Sequence, residues 1–366
     1  MQLTQSDDAE ARRLAGQRFT AQLLSDQPAA GAVEVAERLL AVQGQDARGA
    51  RLAVRARTRG LTAADVDRAL TTDRLLLITW LNRGTLHLIR TEDYWCLHRL
   101  TARPQLQTSV LRMLGHAGVG AAEADKAVAD IEASLVSSGP QTRMQLRDNI
   151  ASAGVRTDGN IPLHLIALAS LRGIAVRGPM VGAQHAYVHV RDWLGKPPAE
   201  PDHDAALAWL ARRYLAGHGP AADRDLAKWA GIPLGQARRA LAEIAHELHD
   251  RPDGLAELAA APQDGTGMPA PRLLGSFDPV LLGWASRDPI LGEHQTIVTV
   301  NGLFRPFVLV DGRAAGTWRY AGGQISVDRF DDYADEVETA LAAEASDVQR
   351  FLGSAQLDES EQDEQA

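Results

Sequence analysis

The triplet Gln43-Gly44-Gln45 sets two carboxamides two residues apart. A glutamine side chain offers an acceptor oxygen and two N–H donors and does not titrate, so it can position a water without being a strong base. Gln43 extends the face on which Val33, Ala36, Leu39 and Leu40 fall in the run GAVEVAERLLAVQ, residues 31–43, and a polar amide therefore sits at the end of an apolar helical stripe. In an unbroken helix, residues i and i+2 point apart. Gly44 can end the helix in a left-handed conformation and let both amides aim at one point. On these residues alone, a cap or a core hydrogen bond is the commoner use of such amides. Arg48, Arg51, Arg55 and Arg59 follow at spacings of 3, 4 and 4. That spacing predicts one basic ridge on the next helix, either a solvated face or a set of phosphate contacts. The turn Arg83-Gly84-Thr85, with His87 just beyond it, is a second candidate for backbone contact, although His87 fits equally well as a core histidine on the inner face of a strand.

Other chemistries find little support. There is no Gly-rich phosphate loop of the nucleotide-binding kinds, and GNIPLHLIALAS is not a nucleophile elbow. His246 and His249 could share a helix face, but no acidic motif of the metalloprotease kind accompanies them. Cys96 is the only cysteine, which excludes an intrachain disulfide and a Cys-rich zinc site. We therefore expect neither metal nor cofactor. Apolar residues make up 45% and charged residues 23% of the 366, an ordinary globular balance with ample material for a core. No run of about 18 apolar residues exists to cross a membrane, and the opening MQLTQSDDAEARR lacks the apolar stretch of a leader. The expected location is the cytoplasm. The formal charge of −9 is uneven. Residues 331–366 hold twelve acids and one base, so the other 330 residues carry +2. Of the 38 basic residues, 35 are arginine, the residue suited to bidentate phosphate contact, although a GC-rich genome gives the same bias.

The elements that would position these residues repeat along the chain. Asp46 can cap a helix running to about Thr58, and Thr62 with Asp65 resembles the start of another, TAADVDRAL. LLLITW, NRG and TLHLI then read as strand, turn and return strand. Three helices and a hairpin are the order of a winged helix. A second round runs from a helix at 123–137 through Gly139-Pro140, TRMQLRDNI and PLHLIALASL to the hairpin GIAVRGPMVGAQHAYVHV. A third begins with DAALAWLARRYLAG, Gly219-Pro220 and DRDLAKWAG, with Pro197-Pro198 and Pro201 as the linker before it. From about residue 270 the character changes. TIVTV, PFVLV and GTWRY read as short strands, with Asp311-Gly312 as a hairpin turn.

LLAVQGQDARGARLAVRART, WLNRGTLHLI, LLGSFDPVLLG and VDGRAAGTWR together resemble the AlkZ-like branch of winged-helix DNA glycosylases, which includes YcaQ-type enzymes. The resemblance spans about residues 10–345. It implies a mainly α fold with β-hairpin wings (α+β), built as three tandem winged-helix units plus a β-rich C-terminal module in a C shape. On this chain the units are 1–105 with the Gln-x-Gln site, 106–198, 199–268, the β-rich module 269–350, and an acidic tail 351–366 expected to be disordered. The implied activity is monofunctional excision of N7-alkylated purines, with unhooking of interstrand crosslinks in some members. The implied catalytic pair is Gln43 and Gln45, on the AlkZ side of a family whose YcaQ-type branch carries aspartate second. Gly44 departs from the aliphatic residue usual between them. Arg48, Arg51, Arg55, Arg59, Arg83, Thr85 and His87 are the implied DNA contacts. The expected partner is double-stranded DNA, alkylated or crosslinked, bound by a monomer at the nucleoid and not by a membrane protein. A non-catalytic winged-helix DNA-binding protein or regulator is the competing expectation. An N7-alkylated purine is cationic and leaves as a neutral base, so the leaving group needs no general acid. What remains is to hold a water and stabilise an oxocarbenium-like sugar, which amide oxygens can do.

Overall fold

The computed structural model describes residues 5–25, 27–181, 184–199, 202–261 and 267–353. Its N-terminal part is helical: α1 (Gln5–Ala21), α2 (Ala32–Leu39), the two-residue extended segment β1 (Val42–Gln43), α3 (Ala47–Arg55) and α4 (Ala63–Thr71). In α2 the residues Ala32, Val35, Ala36 and Leu39 are buried, which is one face at helical spacing. The helix stops earlier than its sequence predicts. Leu40 takes φ 61°, and the chain is already extended at Gln43, so the first glutamine stands on β1 and the break falls before Gly44. Asp46 caps α3 as expected, accepting from the backbone N–H groups of Arg48 and Gly49. Asp65 accepts from the Thr62 N–H and hydroxyl at the start of α4.

The chain packs as two compact units. Among the described residues, one holds those up to Val66 together with 203–353, and the other is Asp67–Asp202. Pro197-Pro198 lies just before the second crossing, while Pro201 is outside the described residues.

The Asp67–Asp202 unit contains β2 (Leu76–Leu81), β3 (Thr85–Arg90), α5 (Tyr94–Thr101), α6 (Pro104–His116), α7 (Ala121–Ser138), β4 (Gln141–Thr142), α8 (Arg143–Ser152), α9 (Ile161–Leu171), β5 (Ala175–Val181), β6 (Gln184–His189) and α10 (Val190–Leu194). The β2–β3 hairpin turns through three consecutive left-handed residues, Asn82, Arg83 and Gly84, and pairs from Leu76↔Arg90 to Leu81↔Thr85. The hairpins of the first two rounds join edge to edge through Ile78↔Arg177, giving the strand order β3-β2-β5-β6-β4. Every residue of β2 is buried in consequence. Thr142 and Gln145 form a capping box on α8. The apolar α9, with Leu165, Ile166 and Leu168 fully buried, is the core helix behind the sheet.

The other unit continues with α11 (His203–His218), α12 (Asp223–Ala230), α13 (Leu234–Glu243), β7 (Arg272–Leu274), α14 (Asp288–Leu291), β8 (Phe307–Val310), β9 (Arg313–Ala321), β10 (Gln324–Arg329) and α15 (Asp335–Leu352). After α13 the described residues show only isolated bridges, Ala221↔Ala256 and Leu248↔Leu258, where the earlier rounds have hairpins. The final strands form an antiparallel sheet in the order β10-β9-β8-β7, and Asp311-Gly312, both left-handed, make the β8–β9 turn. TIVTV is not a strand. It opens as a 3₁₀ turn at Gln295–Ile297 and continues into a tight loop. Helix α15 is a further departure, because residues 269–350 are expected as a β-rich module and 351–366 as a disordered acidic tail. Leu341, Val348, Phe351 and Leu352 are nevertheless buried along it.

The segment SFDPVLLGW organises this unit. Arg57 and Asp278, both with fully buried side chains, form a two-pronged ion pair, with both contacts 2.9 Å. Gln22 accepts from Arg57 and donates to the Pro279 carbonyl, completing the network. Trp284 donates to the His218 carbonyl, and the Tyr214 hydroxyl donates to that of Gly283.

Candidate active site

The two glutamines meet. Gln43 Nε2 donates to Gln45 Oε1 at 2.5 Å, and the pair is partly buried, with Gln43 6% exposed and Gln45 intermediate. Ending α2 at Leu39 makes this possible, since extended backbone removes the 100°-per-residue turn that would splay the two side chains apart. Asp46 follows at once and uses Oδ1 for the cap of α3, at 2.9 Å to Arg48 N and 3.0 Å to Gly49 N. The amides are thus anchored to the positive end of a helix, a setting that favours partial negative charge.

Gly49 fixes where that helix end sits. A Cβ built there would lie 2.4 Å from the Ser276 carbonyl oxygen, and one on Gly275 would lie 3.2 Å from the Gly49 Cα. The first turn of α3 is therefore pressed against the start of SFDPVLLGW, an approach that only hydrogen side chains permit.

The four arginines expected as one exposed ridge divide into two groups. Arg48 is half-buried and lies 5.6 Å from the centroid of the Tyr320 ring, in cation–π contact. Arg59 is exposed. Arg51 is 2% exposed and donates to the Ala47 carbonyl of its own helix. Arg55 is 3% exposed and donates to Glu344 at 2.6 Å, to Asp347 at 3.1 Å and to the Leu273 carbonyl at 3.1 Å. Glu344 also accepts from Leu273 N and Arg272, so one carboxylate ties α3 to β7 and α15. Helix α3 is buried on most sides, and two of its arginines, Arg51 and Arg55, are turned inward and bonded within the protein.

In the second unit, Arg83 and Thr85 are partly exposed at the β2–β3 turn. His87 is 2% exposed and takes the core position on the strand face, the alternative that the sequence left open beside a wing contact. Its Nδ1 lies 2.9 Å from the Thr85 carbonyl, and burial, reinforced by Arg83, lowers its pKa to about 3, leaving it neutral. Sequence reasoning missed Tyr320, the Gly49–Ser276 approach and the Arg57–Asp278 pair. For the last two the only signal was the motif SFDPVLLG itself, a buried-looking apolar run carrying one acid. Among the described residues, no group of three or more His, Cys, Asp or Glu is placed to hold a metal ion, and no helix is long and apolar enough to cross a membrane.

The solved structure of the Streptomyces sahachiroi DNA glycosylase AlkZ is similar in fold, with a TM-score of 0.73 at 23% identity, covering 93% of this chain and 96% of that one. By sequence, the interstrand DNA cross-link repair glycosylase of Streptomyces sahachiroi is 29% identical over 373 residues, which span 95% of this chain and 98% of that protein. The pattern of the family described as DNA glycosylase AlkZ-like matches residues 36–351, from the last turns of α2 to the end of α15. With that match running through both glutamines and nearly the whole fold, the chain belongs to the AlkZ-like family of DNA glycosylases.

Proposed function

We propose that this protein hydrolyses the N-glycosidic bond of N7-alkylated purines in duplex DNA and unhooks interstrand crosslinks made through such purines, with Gln43 and Gln45 as its catalytic amides. The observation that carries the reading is the Gln43–Gln45 hydrogen bond at the capped end of α3. The leaving purine is already cationic, so it departs without a proton and no titrating acid is required. The amide pair holds a water beneath C1′, and its partly negative oxygens face the oxocarbenium-like sugar as charge develops there. Asp46 Oδ1 is engaged in capping α3. Residues 43–87 contain no lysine. An amine able to form a Schiff base is absent from this stretch, and the product is an abasic site with the strand intact.

Arg48, Arg59, Arg83 and Thr85 are the proposed backbone contacts. Arg51, Arg55 and His87 are turned inward and act in the fold. The crosslink reading is supported by the name of the Streptomyces sahachiroi relative. The deciding experiment incubates the protein with a duplex carrying one N7-methylguanine and then applies alkali to cut at abasic sites, with a duplex crosslinked through N7 positions alongside. Alkali-labile product from the first and separated strands from the second are expected. Tight duplex binding with no abasic product would turn the reading toward a non-catalytic DNA-binding protein.

A further inference from the structure

Helices α1, α2 and α11 and residues 257–261 enclose a cavity of about 510 Å³. Small-molecule sites run from roughly 300 to 1,000 Å³. Every lining residue belongs to one of the two units, and none is a candidate catalytic or DNA-contact residue. Leu215 and Leu258 give the cavity apolar wall. Arg38, on the last turn of α2, lines it too. It donates to the Ala216 carbonyl at 3.5 Å and has no carboxylate partner among the described residues.

Two buried polar side chains face this space: Gln17 of α1, 6% exposed, and Glu257, 3% exposed. Both are held by one guanidinium nitrogen. Arg251 Nη1 donates to Gln17 Oε1 at 3.3 Å and to Glu257 Oε2 at 2.6 Å. Arg251 is itself fixed by Asp253, and Glu257 stands between the bridges Ala221↔Ala256 and Leu248↔Leu258. A guanidinium only donates, so it settles which end of the Gln17 amide faces it. The other ends, Gln17 Nε2 and Glu257 Oε1, have no hydrogen-bond partner among the described residues, and neither is closed off from the cavity that both residues line. A donor and an acceptor therefore stand side by side on a rigid mount. A ligand that enters must offer an acceptor to the first and a donor to the second, or leave both unmet at a cost.

We propose that this cavity is a second site, separate from the amide pair, that binds the free N7-alkylated purine base released by excision; the choice of ligand rests on the glycosylase reading above. A lactam carries a carbonyl and an N–H on adjacent atoms, which is the complement of the Gln17–Glu257 pair. On guanine these are O6 and N1–H: O6 accepts from Gln17 Nε2, and N1–H donates to Glu257 Oε1. The ring faces meet Leu215 and Leu258, and Arg38 offers a further donor. The N7 substituent lies off the paired edge and extends into the rest of the cavity. In a duplex the same edge is occupied by cytosine, so the site selects the released base over the base in DNA.

The test is calorimetric titration of the full-length protein with free N7-methylguanine, alongside caffeine, a purine of like size with no N–H, and guanosine monophosphate, which carries the same edge on a nucleotide. N7-methylguanine should bind at about 0.1 mM, the order expected for so small a ligand, and caffeine should not bind. Gln17→Glu and Glu257→Gln each keep an oxygen for Arg251 and reverse the polarity of the free atom. Each should weaken N7-methylguanine at least tenfold with the melting temperature held. Gln43→Ala/Gln45→Ala should bind the base as the wild-type protein does. Absence of saturable binding, equal binding of caffeine, or undiminished binding in both polarity variants would overturn the site, as would loss of binding in the double alanine variant. Tighter binding of the nucleotide than of the base would overturn the choice of ligand. Binding as expected, with no excision of N7-methylguanine from duplex by the wild-type protein, would leave the purine site standing and remove the glycosylase reading.

Discussion

At the scale of single residues, the glutamine pair makes the sharpest demand. Each of Gln43→Ala and Gln45→Ala should slow excision of N7-methylguanine by roughly 10². Because one amide donates to the other, they act as a unit, and the double alanine variant should be little worse than the poorer single one. Gln45→Asp should keep some activity, since a carboxylate oxygen can also accept from Gln43 and hold the water. Single-turnover rates, duplex affinity and melting temperature on the same variants separate catalysis from packing, and full activity in the double alanine protein would sink the mechanism. The sequence made this pair legible because amides at i and i+2 are of use together only where a helix breaks. It did not reveal which residue breaks the helix, because Leu40 in the left-handed region is imposed by tertiary packing and has no propensity signal. His218 carries a second prediction. It is fully buried among Tyr214, Trp229 and Trp284, and burial lowers its pKa to about 3. Below about pH 6.5 the unfolded chain binds a proton that the folded one refuses, so stability should fall between about pH 6.5 and 3, by at most about 1.4 kcal/mol per pH unit from this group. Melting temperatures from pH 7 to 5 should decline less steeply in His218→Phe, and parallel slopes would show that other groups govern acid unfolding.

At the scale of elements, α3 shows what periodicity can and cannot say. Arg48, Arg51, Arg55 and Arg59 do recur at helical spacing, but spacing does not tell whether a face meets water or acid. The acids that answer Arg55 come from α15, 289 and 292 residues later, and a local reading cannot anticipate partners at that separation. Counted from the sequence, the same acids are simply members of the net −11 stretch, residues 331–366. The consequence is measurable. Arg48→Ala and Arg59→Ala should each lower the slope of log affinity against log salt by about one, the loss of a single phosphate contact. Arg55→Ala should leave that slope unchanged and lower the melting temperature, because it strands Glu344 and Asp347 beside a buried surface. A reduced slope in Arg55→Ala at unchanged stability would mean that the α3–α15 clamp opens when DNA binds. The hairpins were legible as strands from LLLITW and TLHLI, but not as one sheet. Joining β2 to β5 requires knowing that two rounds of the repeat share an edge.

At the scale of the whole molecule, the described residues up to Val66 and those of 203–353 form one unit, with Asp67–Asp202 as a separate one. Chain order could not show this, since the contacts that decide it are those of Arg57 with Asp278, Gln22 with Pro279 and Arg55 with Glu344. Asp278→Asn should accordingly cost about 3–5 kcal/mol, the scale for breaking a buried ion pair from one side, which a denaturant titration would report. The acidic C-terminus tests where that unit ends. Residues 354–366 lie outside the described residues, and their expected disorder is a reading of composition. Helix α15 reaches Leu352 and buries Val348, Phe351 and Leu352. A chain cut after Gly353 therefore keeps every apolar anchor of that helix and the carboxylates that hold Arg55. What it loses is Asp358, Glu359, Glu361, Asp363 and Glu364, five negative charges with no base among them. Those charges compete with phosphate for the exposed arginines over distances set by the Debye length. Truncation should thus leave the melting temperature within about 2 °C, the small response expected when no buried contact is removed. It should tighten duplex binding at about 0.02 M salt and have no effect by about 0.3 M, where screening removes the competition. A fall in melting temperature would place structural contacts in the last thirteen residues, and equal affinity of the two chains at low salt would show that the tail stays clear of the DNA-binding face.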